Sequence, residues 1–406
     1  MSMTKKQKVS HREDWDPLNI PEELHSLIFQ HFSGKEVLVA SEVSWMWYLK
    51  VGESKECMGK IRLKLVDPGN TEMELINNSP RNYQNISLKG AINNENLKFL
   101  DMYSQSLKSV KMINQVTNEE QEPVDPISLP FLENLSITFI TKSILELFMA
   151  SVKKLKVLAF EKVNMETRDN LVRFINAFGS TLVELELKNQ AFDIAFDEYV
   201  EENFELQLTK LRLYQSNRTD CGGNIIVNYH RPTRRRTQIN KRLDIFLLTQ
   251  AKSLQTISLD GFWYSGTILK VFQELPLVTE VSICRCVDHE RLRTNCIPNP
   301  NIAKISFLKF LRCKRQTVWS DHTYLEMRNI LKDAPHLKHL QVHQLANGII
   351  EYANSYFHSL IDLTYYVGPE KGKNPAVTTQ DIQDTYDKLK AVRPNIFKFH
   401  KRNNKI

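Results

Sequence analysis

Residues Asn19–Trp47 read NIPEELHSLIFQHFSGKEVLVASEVSWMW, and the rest of the chain is organised around them. Pro21 can open a helix, because the N–H it lacks is one the first turn does not use. Glu22 and Glu23 then sit where the helix dipole favours negative charge. Behind them Leu24, Leu27, Ile28 and Phe32 recur at three- and four-residue steps, which is one apolar face. Ser33-Gly34 breaks that helix. Val37, Leu38 and Ala40 belong to a short second one, and Val43 and Trp47, four apart, begin a third. Three short helices in about fifty residues are marginal alone, so this face needs a neighbour.

The stretch resembles an F-box. The residues that carry the resemblance are Ile20-Pro21-Glu22-Glu23-Leu24, Ile28-Phe29, Leu38, Val43-Ser44 and Trp47. It departs from the family pattern where Ile20 stands for Leu, Met46 for a basic residue and Met58 near a second Trp. The resemblance covers residues 16–63 and implies three helices that dock on the Skp-type adaptor of a cullin–RING ubiquitin ligase. It assigns adaptor contacts to Ile20, Pro21, Leu24, Ile28, Leu38, Val43 and Trp47. The alternative is a plain helical module packed on its own downstream domain.

After residue 63 an apolar-x-x-apolar-x-apolar pattern recurs, the signature of a leucine-rich repeat. Units start at Tyr83, Leu107, Leu132, Leu155, Leu182, Leu208, Leu254, Val278, Ile302, Leu337 and Leu360. The fourth and sixth positions of each are expected to face inward from a short strand. They run Ile86/Leu88, Val110/Met112, Leu135/Ile137, Leu158/Phe160, Leu185/Leu187 and Leu211/Leu213. Ile257/Leu259, Val281/Ile283, Ile305/Phe307, Leu340/Val342 and Leu363/Tyr365 follow, and a twelfth strand is expected at Phe397/Phe399.

Between strands the period becomes helical. Leu171, Phe174, Ile175 and Phe178 share a face that Gly179 ends. Similar segments are Ser143–Ala150, Ile239–Gln250, Ile268–Leu275, Tyr324–Lys332 and Ile349–Phe357. The expected fold is α/β: the helical module, then a curved solenoid of about 11–12 irregular strand–helix units over residues 64–400. Insertions lie at 116–130, 222–242 and 313–322. Residues 1–15 read as a disordered basic tail and 401–406 as a second basic tail.

Composition agrees with a folded protein. Of 406 residues 42% are hydrophobic and 25% charged, and the net charge of +7 is modest for that length. Six scattered cysteines do not make a secreted disulfide scaffold. The first fourteen residues lack the apolar run of a signal peptide, and no stretch is long and apolar enough to span a membrane. A cytoplasmic and/or nuclear protein is expected.

Candidate contact residues fall in two places. The segment 228–242 carries Arg231, Arg234, Arg235, Arg236, Lys241 and Arg242 with no acidic residue. It can clamp an acidic or phosphorylated partner, serve as an import signal, contact nucleic acid, or stay a solvated loop. On the strand face opposite the inward residues, Lys89, Lys111, Lys188, Lys210, Arg212 and Lys304 are balanced by Glu161, Glu184, Glu186, Asp260, Glu280 and Asp362. That balance argues against wholesale nucleic-acid binding. Tyr214, His339, His343 and Tyr366 are the aromatic anchors expected there for a protein partner. Together with Lys210, Arg212 and Arg234–Arg236 they make up the expected substrate contacts.

Cys284, Cys286, His289 and Cys296 match no zinc-knuckle spacing. The phosphate-loop, dinucleotide, H-E-x-x-H and G-x-S-x-G motifs are all missing. The reading is a non-catalytic, cofactor-free substrate receptor of an SCF-type ligase. Its alternatives are an F-box scaffold that delivers nothing and a nucleic-acid-binding solenoid.

Overall fold

Eleven of the apolar units each supply one parallel β-strand in a computed structural model of the chain. It describes residues 22–90, 93–114, 126–164, 168–196, 204–214, 234–260, 274–284, 302–311, 334–343, 359–367 and 398–403, with single positions between 384 and 391. The chain forms two compact units, Met1–Asn134 with Ala150–Lys153, and Leu135–Met149 with Lys154–Ile406.

The first unit opens with four helices, α1 (Glu22–His31), α2 (Gly34–Ala40), α3 (Trp45–Glu53) and α4 (Lys55–Lys60), where the sequence suggested three. Serines start three of them. Ser33 Oγ accepts from the Glu36 amide while Glu36 accepts from the Ser33 amide at 2.7 Å, a reciprocal capping box. Ser44 and Ser54 accept from the Trp47 and Cys57 amides at 3.2 and 3.3 Å. At the far end of α1, the Lys60 ammonium donates to the Phe29 and Gln30 carbonyls at 2.9 and 2.8 Å, where a cation also suits the dipole. Phe29, Val37, Ala40, Val51, Cys57 and Met58 are buried, and α3 and α4 also hydrogen-bond to Ser79, Gln84 and Asn85 just downstream.

Three strands follow in this unit, β1 (Arg62–Val66), β2 (Asn85–Lys89) and β3 (Ser109–Ile113), paired β1–β2–β3 in parallel. Helices α5 (Asn70–Asn77) and α6 (Asn94–Met102) connect them. The repeat pattern does not include β1, and the register gives the reason. Leu63 pairs with Ile86, so the first position of this unit falls on Lys60, whose ammonium is engaged on α1.

The second unit carries β4 (Asn134–Ile140), β5 (Val157–Val163), β6 (Glu184–Lys188), β7 (Lys210–Tyr214), β8 (Thr256–Asp260) and β9 (Glu280–Cys284). β10 (Phe307–Leu311), β11 (His339–His343), β12 (Asp362–Val367) and β13 (Lys398–Asn403) complete it, in chain order. Among the described residues that makes thirteen strands, against the 11–12 expected. Helices α7 (Lys142–Ser151), α8 (Arg168–Ala177), α9 (Asn189–Ala195) and α10 (Arg234–Thr249) lie between strands. α8 buries Leu171, Phe174 and Ile175, with Phe178 just beyond its end, as its periodicity predicts. α10 begins five residues before the expected Ile239 and takes Arg234–Arg236 out of the loop assigned to them. Expected helices Ile268–Leu275, Tyr324–Lys332 and Ile349–Phe357 lie outside the described residues, but for Glu274 and Leu275. Insertions 116–125, 222–233 and 313–322 do as well.

One backbone device repeats from unit to unit. The carbonyl of the second residue in a unit accepts from two successive amides of the next. Lys156 accepts from Val183 and Glu184 at 2.8 and 2.9 Å, Val183 from Thr209 and Lys210, and Thr209 from Gln255 and Thr256. Gln255, Thr279, Ser306 and Lys338 continue the series. The residue before each acceptor is a buried Leu, Ile or Val.

This series corrects one register, and the strand pairing of β13 corrects another. Ile302 and Ile305 both start a matching pattern, and the sequence reading chose Ile302. Ser306 is the acceptor, so the unit starts at Ile305 and Leu308 and Phe310 take the fourth and sixth positions, paired with Val281 and Ile283. Phe307 moves to the opposite face. Lys304 falls in a 3₁₀ turn, Ile302–Lys304, and Lys309 takes its place on the strand. In β13, Phe399 and Lys401 pair with Leu363 and Tyr365, two residues later than the expected Phe397/Phe399. Lys401 breaks the apolar pattern, which is why periodicity slid back to Phe397.

Gln250, fully buried after α10, ties that helix to the preceding unit. Its Oε1 accepts from the Leu208 amide at 2.9 Å and its Nε2 donates to the Leu206 carbonyl at 3.0 Å. Gln250→Leu strands both backbone groups at a cost of about 1–3 kcal/mol. A drop in the thermal unfolding midpoint, with an unchanged far-UV spectrum of the folded state, is the expected result.

Candidate protein-docking surfaces

The amino-terminal helices keep part of their apolar surface outside their core. On α1, His25 and Phe29 turn inward, and the Trp47 ring meets them edge-on at 5.9 and 5.5 Å. Leu24 and Leu27, on another side of the same helix, are exposed. On α2 the core takes Val37 and Ala40 and leaves Leu38 and Val39 in solvent, while Val43 is 62% and Trp45 69% exposed. Phe32, Lys35, Glu36, Val39, Ala40, Val43 and Trp47 line an open groove of about 380 Å³ there. Contiguous apolar surface of this kind marks interaction sites more often than scattered single residues do.

Of the expected adaptor contacts, Leu24, Leu38 and Val43 are exposed, and Ile28 and Trp47 are half-buried. Ile20 and Pro21 lie outside the described residues. The sequence reading missed Val39 and Trp45. Val39 stands four residues before Val43, and that spacing was the available signal. No family model and no curated protein matches the chain.

The strand face of the second unit is the other candidate. Its central cations are already occupied. Lys210 Nζ lies 3.2 Å from Glu184, and Arg212 reaches Glu184 at 3.4 Å and Glu186 at 3.3 Å. Lys188 pairs with Glu186 and stands 5.1 Å over the Tyr214 ring. Lys210 and Arg212, expected to grip a partner, are thus part of an internal network. On β11, His339 Nδ1 is 3.6 Å from Asp362, and its ring lies 6.3 Å from that of Phe307. His343 and Tyr366 pair in register across β11 and β12; their side chains lie outside the described residues. So do those of Arg234, Arg235 and Arg236, which occupy the first turn of α10.

Two cysteine readings can be placed. Cys57 is fully buried and burial pushes its thiol up, only partly offset by the Ser54 hydrogen bond and the nearby Lys60. That is a packing cysteine. Cys284 is on β9, while Cys286, His289 and Cys296 lie outside the described residues. Among the described residues no three potential metal ligands come together, and no helix is long and apolar enough to cross a membrane.

Tyr214 reports on the charge network. Burial raises its phenol above the ordinary tyrosine value, Glu186 adds to the rise, and Arg212 and Lys188 oppose it. A raised value in the folded state contributes stability that is present below the unfolded value and lost as pH rises through the folded one. Glu186→Gln removes a raising charge and frees two lowering ones, so the Tyr214 midpoint moves down. Tyrosine-ζ carbon NMR across an alkaline titration, assigned with Tyr214→Phe, reads the shift.

Proposed function

We propose that the chain is an F-box protein with leucine-rich repeats, a non-catalytic subunit of an SCF-type ubiquitin ligase. In this reading the amino-terminal helices dock on a Skp-type adaptor, itself carried by a cullin–RING scaffold, and the repeats hold a protein for ubiquitination. One observation carries the reading. The helices leave Leu24, Leu27, Leu38, Val39, Val43 and Trp45 exposed, and Val39 and Val43 line an apolar groove with Phe32, Ala40 and Trp47. Covering them removes apolar area worth ~25 cal/mol per Å² from water.

The chemistry then belongs to other subunits. Holding a target beside a ubiquitin-charged enzyme raises the effective concentration of its lysines without new covalent steps, and no residue of this chain is given one. Delivery, as opposed to tethering, is read by whether a protein accumulates when the chain is removed and regains ubiquitin when it returns.

The docking test uses Leu27→Glu with Val43→Glu. Both positions are exposed, so folding stability should change by no more than about 0.5 kcal/mol at each. Adaptor retention in a pull-down is expected to fall at least ~30-fold if the patch is the energetic centre of the contact. Undiminished retention by the folded double variant overturns the assignment.

A further inference from the structure

The corrected registers separate charges that the sequence reading found evenly mixed. On β6–β9 the face opposite the buried leucines carries four carboxylates, Glu184, Glu186, Asp260 and Glu280, against Lys188, Lys210 and Arg212. Those three cations are held by Glu184 and Glu186. On β10–β13 the same face carries Lys309, Lys398 and Arg402 against a single carboxylate, Asp362. Asp362 already lies beside His339. His343 and His400 share this face by register, along with Gln341, Thr364 and Tyr366. Among the described residues Lys309 has no anionic partner.

We infer that β10–β13 form a docking surface for an acidic peptide segment of a partner protein. The juxtaposition that carries it is Lys309, His339, His343, Lys398, His400 and Arg402 on four adjacent strands. Neighbouring strands lie ~4.8 Å apart and facing residues repeat every ~6.8 Å along each. An extended chain with carboxylates at alternate positions therefore matches the spacing of these residues. The middle of the face does not compete for it, because its cations are neutralised from within and its excess charge is negative. Complementary charge of this kind sets specificity and encounter rate as much as affinity. The proposal rests on the reading of the repeats as a protein-holding surface, but it does not involve the amino-terminal helices.

The probe is a ten-residue peptide of alternating Asp and Glu with a rhodamine label, titrated by anisotropy into the full chain without any adaptor. It is expected to bind at low salt and to weaken as salt screens exposed charges. The triple variant Lys309→Glu, Lys398→Glu, Arg402→Glu should bind at least ~10-fold more weakly, and Lys188→Ala should leave binding within about twofold. Hydrogen exchange of the native chain with peptide should slow at 307–311, 339–343, 362–367 and 398–403, which decides the matter even if the triple variant fails to fold. Wild-type affinity in a folded triple variant, no binding at low salt, or protection confined to β6–β9 overturns the proposal. Tighter binding of a single-stranded RNA of equal length on the same strands also overturns it. Loss of adaptor binding in the helix variant bears on the docking of the helices alone and leaves this result untouched.

Discussion

The second unit is built on one shared acceptor. Each time a unit begins, a carbonyl serves two consecutive amides of its successor, from Lys156 through Lys338. The bond uses only main-chain atoms, so it tolerates Lys, Val, Thr, Gln or Ser at the acceptor position. What it demands is a buried apolar residue just before, because that residue fixes the chain at the depth where the carbonyl can be reached. Leu155, Leu182, Leu208, Leu254, Val278, Ile305 and Leu337 meet that demand, all at most 3% exposed. Irregular helices and long insertions between strands are then harmless, since loop length adds little entropy cost.

The amino-terminal helices follow a different economy. They are seven to ten residues long where they carry the exposed patch, too short to persist on propensity. Serine caps, the Lys60 ammonium on α1 and an aromatic cluster of His25, Phe29 and Trp47 hold them instead. Because those contacts stand on one side of each helix, the opposite side is left unconstrained. Leu24, Leu27, Leu38, Val39, Val43 and Trp45 are exposed there and take no part in those contacts.

Much of this was legible in the sequence, and the failures have physical causes. The inward pairs from Ile86/Leu88 to Ile257/Leu259 were read in the right register because every position of the pattern is apolar there. The unit at Ile305 was misread because Ile302 offers an equal match, and only the acceptor series separates them. β1 was missed because Lys60 occupies its leading position, and β13 was misplaced because Lys401 occupies its sixth. On the helices, Leu24, Leu38 and Val43 were named from the motif, but Val39 and Trp45 were not. Which residues a short helix leaves in solvent depends on how its neighbours close over it, and period alone does not carry that. Lys210 and Arg212 were read as free cations because a tally of charges on a face does not say which neighbours meet, although the register that was read sets Lys210 opposite Glu184 and Arg212 opposite Glu186.

Lys401 has a wider meaning. In each of the preceding units the equivalent place, from Leu88 to Tyr365, is an apolar or aromatic residue. A lysine in that register makes any further layer expensive, since covering it would strip water from an ammonium ion. Among the described residues β13 is an edge of the sheet, and a sequence with Lys398, Lys401 and Arg402 on one short strand is of the kind that disfavours edge-to-edge pairing with a second copy.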